Sequence, residues 1–233
     1  MKTSVRIIYF VFSILFVISC SDEDNPKLTK AEPIVLKSTF DKKLEQDNNF
    51  AFDLFKTTYG LETGMNIFIS PLSVSMALDM TMNGARANTL DEMLLALRVS
   101  GYSMDDINEY SKTLREALLK VDPSTQISIA NSIWSREGFQ VEQSFMDVNK
   151  NYYNAEVTSL NFADNNATSR INDWCANNTN NKITKIIDDI PNDMVMYLIN
   201  AIYFKGIWVK NLKRKIHLKL FFTQKTAKSR KFR

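Results

Sequence analysis

The chain holds few of the residues that commonly perform catalysis. Its 233 residues include one histidine, His217, and two cysteines, Cys20 and Cys175. The sequence contains no H-E-x-x-H motif, no C-x-x-C pair and no glycine-rich loop of the kind that binds phosphates. An acidic pair, Asp188-Asp189, lies in a predicted loop, where solvation explains it more simply than acid–base chemistry does. The sequence therefore predicts a protein that is not an enzyme and that uses no cofactor and no metal.

Cys20 follows a segment that is typical of a bacterial export signal. Two basic residues precede an apolar run, residues 7–18, which is too short to span a bilayer comfortably and is typical of a signal peptide. Ser19 and Cys20 resemble the cleavage site of bacterial lipoproteins, and the acidic residues that follow resemble the surface-export signal of some Gram-negative lipoproteins. We expect residues 1–19 to be removed and Cys20 to carry a membrane-anchoring lipid outside the cell. The alternative is an ordinary secreted protein that is cleaved near the same position.

Cys175 is the second thiol, and its surroundings predict a structural role. A lipid on Cys20 leaves Cys175 without a disulfide partner in the chain. It adjoins Trp174 on a predicted helix, where a lone cysteine is typically a small core residue. A nucleophilic role is disfavoured because His217 is the only histidine that could activate the thiol.

The charge of the chain changes abruptly at its C-terminal end. The formal net charge is +3, but residues 211–233 hold nine basic residues and no acidic one. The first 210 residues therefore carry 20 basic and 26 acidic residues, a net charge of −6. We predict that residues 211–233 are translated out of frame. The alternative is a tail that binds an acidic partner on a surface lipoprotein, and we expect no nucleic-acid partner.

The central stretch of the chain predicts a buried helix. An apolar strand is expected at Asn66–Ile69, followed by a helix N-cap at Ser70 with proline in the next position. Apolar residues then fall on every side of the helix up to Met82, a pattern that indicates a buried helix. Gly84 stands where a left-handed C-cap is expected.

The rest of the chain up to residue 210 mixes helices and strands without strict alternation, which favours an α+β fold. A polar tether is expected at 20–39, and the folded domain at 40–210. The first helix should place Phe50, Leu54 and Phe55 on one face. Two later helices should begin at a capping box opened by Thr89 and at Ser103. The other predicted elements are a half-buried strand at 127–133, a helix at 141–153, a strand at 156–162, a helix at 168–176, and a strand at 194–204 that is apolar on both faces and so central in a sheet.

Three stretches resemble the serpins, a family of serine protease inhibitors. They are Asn66–Gly84, Ile129–Trp134 and Leu198–Trp208, and the last matches the serpin pattern N-A-x-x-F-K-G-x-W. The resemblance covers roughly residues 50–210, which is the N-terminal half of such a protein. It implies a serpin-like fold in which helices pack on a large mixed β-sheet, here incomplete because the C-terminal half is missing.

The resemblance also implies a function and a set of mechanical residues. Serpins trap a serine or cysteine protease covalently when the cleaved reactive loop inserts into the sheet. Asn66, Ser70, Ser73 and Asn200 correspond to the buried cluster called the shutter, and Trp208 corresponds to the tryptophan where insertion begins. Because the reactive loop is absent, we expect this chain by itself to inhibit no protease.

Each of these residues also has a simpler structural explanation. Ser70 suits a helix cap, Asn66 a strand end, and Trp208 a core aromatic. Asn200 is harder to explain in this way, because it interrupts an apolar strand and an unsatisfied buried amide costs about 1–3 kcal/mol. We therefore expect Asn200 to have hydrogen-bond partners.

Overall fold

A computed structural model describes residues 31, 33–61 and 66–207 of the chain. These residues form six α-helices and three β-strands, after a short 3-10 helix at Ser38–Phe40. In chain order the elements are α1 (Asp41–Leu61), α2 (Pro71–Met82), α3 (Ala87–Ala96), α4 (Met104–Leu118), β1 (Gln126–Arg136), α5 (Gln143–Tyr153), β2 (Ala155–Leu160), α6 (Ala167–Asn178) and β3 (Met196–Lys205). The mixture confirms the α+β expectation, and the sheet in the described part of the chain is a partial one.

The sheet has the strand order β2-β1-β3, with β1 parallel to β2 and antiparallel to β3. Helix α6 covers one face through a cluster built on Trp134, Ile171 and Trp174. A second cluster on the other face joins Met80 of α2 and Tyr153 of α5 to the sheet. Because both faces of the sheet are covered, the second half of β1 is buried on both sides, and the prediction of a half-buried strand is wrong there.

The apolar sequence of β3 predicts a position in the middle of a sheet. Within the described ranges β3 pairs with β1 alone, so its other edge bonds to no described strand. Its last apolar residue, Phe204, is 68% exposed. The described sheet therefore ends at β3, although the sequence of this strand is suited to a central position.

Helix α2 is largely buried or half-buried, with Thr81 exposed, and both of its flanks differ from expectation. Ser70 is the N-cap, and its hydroxyl accepts a hydrogen bond from the Ser73 amide at 3.3 Å. Asn66–Ile69 does not form the predicted strand, since no described strand lies beside it, and Phe68 is fully exposed. Gly84 does not adopt the predicted left-handed conformation, because the C-cap is Asn83 in a right-handed helical conformation.

Packing, rather than backbone conformation, explains the glycine at position 84. A Cβ atom placed there would lie 3.2 Å from the ring of Phe145 on α5. The absent side chain lets the end of α2 approach this ring closely. The physical reason for the residue is therefore a tertiary contact that the local sequence does not reveal.

Other helix boundaries show where local signals succeed and fail. Ser103 caps α4 in a reciprocal capping box with Asp106, which confirms the predicted start. Helix α3 begins at Ala87, before Thr89, so the capping box predicted at Thr89 is wrong. Phe55 of α1 is 48% exposed and stacks on Tyr59 instead of facing the core.

Between residues 31 and 207, as far as they are described, no helix combines the length and apolar character needed to cross a bilayer.

Candidate functional site

A continuous set of side-chain hydrogen bonds connects α2 to the two neighbouring strands β1 and β3. The Ser73 hydroxyl donates to Asn200 Oδ1. Asn200 Nδ2 donates to Asn131 Oδ1 at 2.7 Å, and Asn131 Nδ2 donates to the Tyr153 carbonyl oxygen at 2.7 Å. The side chain of Asn200 therefore bonds to a helix on one side and to the central strand on the other.

The strand register brings the two asparagines together. Asn131 and Asn200 are direct partners in the antiparallel ladder of β1 and β3. Side chains of directly opposed residues lie on the same face of a sheet. Ser73 reaches this face from the first turn of α2, which the cap at Ser70 and the proline at position 71 help to form.

The same set of bonds continues to the far end of α2. The Tyr153 hydroxyl donates to Asn108 Oδ1 at 2.7 Å, and burial raises the pKa of Tyr153 well above its ordinary value, so the hydroxyl stays a donor. Asn108 and Asn83 exchange amide hydrogen bonds at 2.9 and 3.0 Å. We call these residues the asparagine chain; its members are Ser73, Asn200, Asn131, Tyr153, Asn108 and Asn83.

A group of charged residues lies beside the asparagine chain, between α1, α2 and α4. Asp79 of α2 is 3% exposed and accepts a hydrogen bond from the Ser111 hydroxyl at 2.9 Å. Lys43 of α1 is 1% exposed, bonds to Asp47, and lies 4.5 Å from the centre of the Tyr110 ring. Burial raises the pKa of Asp79 from 3.8 to about 6, against the opposing effect of the Lys43 charge.

The structure brings together only some of the predicted shutter residues. Ser73 and Asn200 bond directly, and Ser70 supports Ser73 through its amide. Asn66 is exposed and lies outside the asparagine chain, so the expected burial of this residue is not observed. Trp208, Cys20, the predicted signal peptide and the basic residues 211–233 all lie outside the described residues.

Sequence reasoning missed most of the asparagine chain and its charged neighbours. Asn131 carried a signal, since it is a polar residue on the apolar face of a strand. Asp79 carried another, because it is an acidic residue in a helix that is apolar all round. Asn83 and Asn108 carried none, because a polar residue near a helix end or on a helix face is ordinary until its neighbours are known.

The described residues bear on two kinds of reactive site, a metal centre and a free thiol. Among them, no group of three or more histidine, cysteine or acidic residues could hold a metal ion. Cys175 is buried with a free thiol, and burial raises its pKa, which suppresses the reactive thiolate. What the described residues do show is a hydrogen-bonded connection from α2 through β3 to β1.

Comparisons with known proteins agree on one family. A family model described as serpin (serine protease inhibitor) matches residues 45–231. The corticosteroid-binding globulin of Pongo abelii is 32% identical over 165 residues, covering 70% of this chain and 41% of the globulin. An uncharacterized serpin-like protein of Methanosarcina acetivorans is 28% identical over 218 residues, covering 88% of this chain and 51% of that protein.

A solved structure shows the same similarity in three dimensions. The thermophilic serpin Tengpin in its latent state matches with a TM-score of 0.71 and 35% sequence identity. The match covers 78% of this chain and 48% of the Tengpin chain. The chain thus spans about half the length of these relatives. The family-model match also continues past residue 210, where the sequence motifs end, to residue 231.

Proposed function

Because this chain belongs to the serpin family, we propose that it forms the N-terminal part of an inhibitor of serine or cysteine proteases. In this proposal the protease cleaves an exposed loop, and the loop then inserts as a new strand into the central sheet. Strand insertion of this kind releases energy stored in a native state that is short of its most stable sheet. It requires neighbouring strands of the sheet to separate.

The observation that carries the proposal is that the side chain of Asn200 makes two hydrogen bonds, one to a helix and one to a neighbouring strand. Asn200 lies on β3, the strand that ends the described sheet, and its amide joins Ser73 on α2 to Asn131 on β1. A shift of β3 relative to α2 has to break or exchange the bond to Ser73, and a separation of β3 from β1 has to break the bond to Asn131. We propose that Ser73, Asn200 and Asn131 hold the closed sheet and that Ser70 assists them. For Asn66 and Trp208 the corresponding roles stay predictions.

A chimaera tests the inhibitory function. Residues 40–207 replace the matching part of an inhibitory serpin, and the product is mixed with a trypsin-like or a papain-like protease. We expect a covalent complex that survives denaturing gel electrophoresis, and a smaller yield of that complex when Asn200 is replaced by alanine. A folded chimaera that forms no covalent complex with either protease would contradict the inhibitory function. The alternative would then be a carrier function, such as the one named in the corticosteroid-binding globulins.

We also propose that the chain as printed does not inhibit any protease alone. It spans 48% of the Tengpin chain, and β3 has one free edge in the part of the sheet that the structure describes. The measurement is the residual activity of trypsin-like and papain-like proteases after incubation with the purified chain. Complete inhibition of either enzyme contradicts this statement.

The proposed location rests on the N-terminal sequence. We propose that Cys20 carries a lipid that anchors the protein outside the cell. Incorporation of a labelled fatty acid into the expressed protein, and its loss in the Cys20→Ser variant, is the expected result. A secreted product without label in both proteins supports simple signal-peptide cleavage instead.

Two interpretations of the basic tail differ in their consequences. An out-of-frame tail should not match the family, but the family match continues to residue 231. The nucleotide sequence that encodes residues 211–233 therefore tests whether the tail is out of frame. A tail that binds an acidic partner is the second candidate function, and the charge step near residue 211 favours it. Deletion of residues 211–233 should then abolish salt-sensitive binding to a polyanionic resin.

A further inference from the structure

The C-terminal end of α2 carries an Asn-Gly pair, Asn83-Gly84, whose chemistry is independent of protease inhibition. In such a pair the glycine nitrogen can attack the side-chain carbonyl carbon of asparagine, because glycine has no side chain to hinder the approach. The bond from that carbon to the amide nitrogen breaks, and ammonia leaves with the proton from the glycine nitrogen. Water then opens the resulting succinimide ring to aspartate or isoaspartate.

The folded structure holds every group of this reaction in an unreactive arrangement. Asn83 has helical dihedral angles, φ −61° and ψ −22°, and the Gly84 amide donates to the Thr81 carbonyl oxygen at 2.9 Å. The Asn83 amide nitrogen donates to the Asp79 carbonyl oxygen and to Asn108 Oδ1, both at 3.0 Å. Its oxygen accepts from Asn108 Nδ2 at 2.9 Å. The nucleophile, the Gly84 nitrogen, is therefore held by its bond to the Thr81 carbonyl oxygen. The Asn83 side chain is held by its own hydrogen bonds and cannot rotate towards this nitrogen.

Tertiary packing explains why this chemically labile pair suits its position in the fold. A Cβ atom at position 84 would lie 3.2 Å from two atoms of the Phe145 ring, so the fold favours glycine there. An asparagine at position 83 is needed for the reciprocal amide bonds with Asn108. The same two requirements that build the joint between α2, α4 and α5 thus create a deamidation sequence within it.

We propose that Asn83 is a deamidation site that reacts only when the end of the asparagine chain opens, and that the reaction prevents this end from closing again. Local opening frees the side chain and the glycine nitrogen together. The product carboxylate has no N–H group for the Asp79 carbonyl oxygen or for Asn108 Oδ1. It also adds a negative charge within a helical turn of the buried Asp79 carboxyl group. Each opening event that leads to reaction is therefore irreversible.

The first experiment compares deamidation of the full chain in native buffer and in concentrated urea. Peptide mass spectrometry follows the mass increase of the peptide that contains Asn83. We expect slow modification in native buffer and at least about tenfold faster modification in urea, a ratio equivalent to about 1.4 kcal/mol of protection. Equal rates in the two solutions overturn the proposal.

A pair of matched variants tests the role of the hydrogen bonds themselves. Asn108→Ala removes the side-chain partner of Asn83, and Asn172→Ala removes an equally bonded asparagine between α6 and residues 186–187. We expect faster deamidation of Asn83 in native buffer for the first variant only. Equal acceleration by both variants means that general destabilisation controls the rate, and it overturns the proposal.

A product mimic tests the consequence of the reaction. Asn83→Asp places the carboxylate directly, without waiting for deamidation. We expect this variant to unfold at a lower urea concentration than the unmodified chain. The deamidated fraction of an aged sample should unfold at the same lowered urea concentration as the variant. An unchanged unfolding midpoint contradicts irreversible opening, whatever the deamidation rates are.

Discussion

Asn131 and Asn200 face each other across β1 and β3, and the amide of Asn200 donates to the side-chain oxygen of Asn131 at 2.7 Å. Their pairing occurs inside an otherwise apolar sheet face, next to the cluster of Met80 and Ile133. Asn131 is buried and Asn200 is half-buried, and an amide removed from water is favourable only when it is bonded, since an unpaired amide keeps its desolvation penalty. The pair therefore stabilises one particular separation of the two strands.

Removing one member of this pair should leave the other partners unsatisfied. Asn200→Ala leaves the Ser73 hydroxyl and Asn131 Oδ1 without their observed bonds, so we expect a loss of about 1–3 kcal/mol in the free energy of unfolding. Urea unfolding measures it, with Asn192→Ala on the exposed loop before β3 as the control. In a double-mutant cycle, Asn131→Ala should be strongly non-additive with Asn200→Ala. Additive effects would contradict direct coupling.

The stability of the fold should depend on the protonation of Asp79. Its pKa is about 6 in the folded chain and 3.8 in its ordinary environment, so the folded state binds the proton more tightly. The contribution of this group to stability is therefore present below about pH 4 and is lost as the pH rises through about 6, by roughly 3 kcal/mol at most.

The groups that face Asp79 determine how this pH dependence is tested. Lys43 and Asp47 face it from α1, Ser111 and Tyr110 from α4, and Tyr153 from α5. Asp79→Asn keeps an acceptor for Ser111 but cannot ionise. The difference in urea midpoint between the variant and the parent chain should grow in favour of the variant from pH 5 to about pH 7. A constant difference refutes the expected ionisation.

The positive charge of Lys43 stabilises the ionised form of Asp79. Lys43→Met keeps the length of the side chain but leaves Asp47 and Asp79 without their buried positive charge, so we expect destabilisation of about 3 kcal/mol at neutral pH. Lys37→Met, which breaks an exposed pair with Glu109, should change stability by less than about 1 kcal/mol. The loss for Lys43→Met should shrink at pH 5, where Asp79 is protonated; a pH-independent loss argues for packing alone.

Two glycines should respond oppositely to the same substitution. Gly84→Ala forces a Cβ atom towards the Phe145 ring, and overpacking of this kind costs about 1–3 kcal/mol. Gly60→Ala in α1 meets no atom within 4 Å, so its better helix propensity should stabilise the chain by about 0.5–1 kcal/mol. Thermal unfolding compares them, and Phe145→Leu should rescue Gly84→Ala. Absence of rescue would show that the ring is not the obstacle.

The sequence by itself determined the class of fold, the family and the order of the elements from α2 to β3, whereas the strand expected at Asn66–Ile69 does not form. Buried helix α2, the Ser103 cap of α4 and the inward Trp174 of α6 all follow from local patterns of apolar and capping residues. Such patterns are local because helix period and cap chemistry act within one or two turns. The expectation that Asn200 has partners also followed, because a buried amide needs them.

Only the tertiary structure decided which partners these are. Asn131 reaches Asn200 through a strand register, and Asn108 meets Asn83 across two helices that are far apart in sequence. The same holds for Gly84, whose reason is the ring of Phe145, and for Asn66, which lies exposed because no described strand pairs with its segment. Hydrogen bonds and close packing between distant residues depend on how elements are placed in space, and no local period of the sequence encodes that placement.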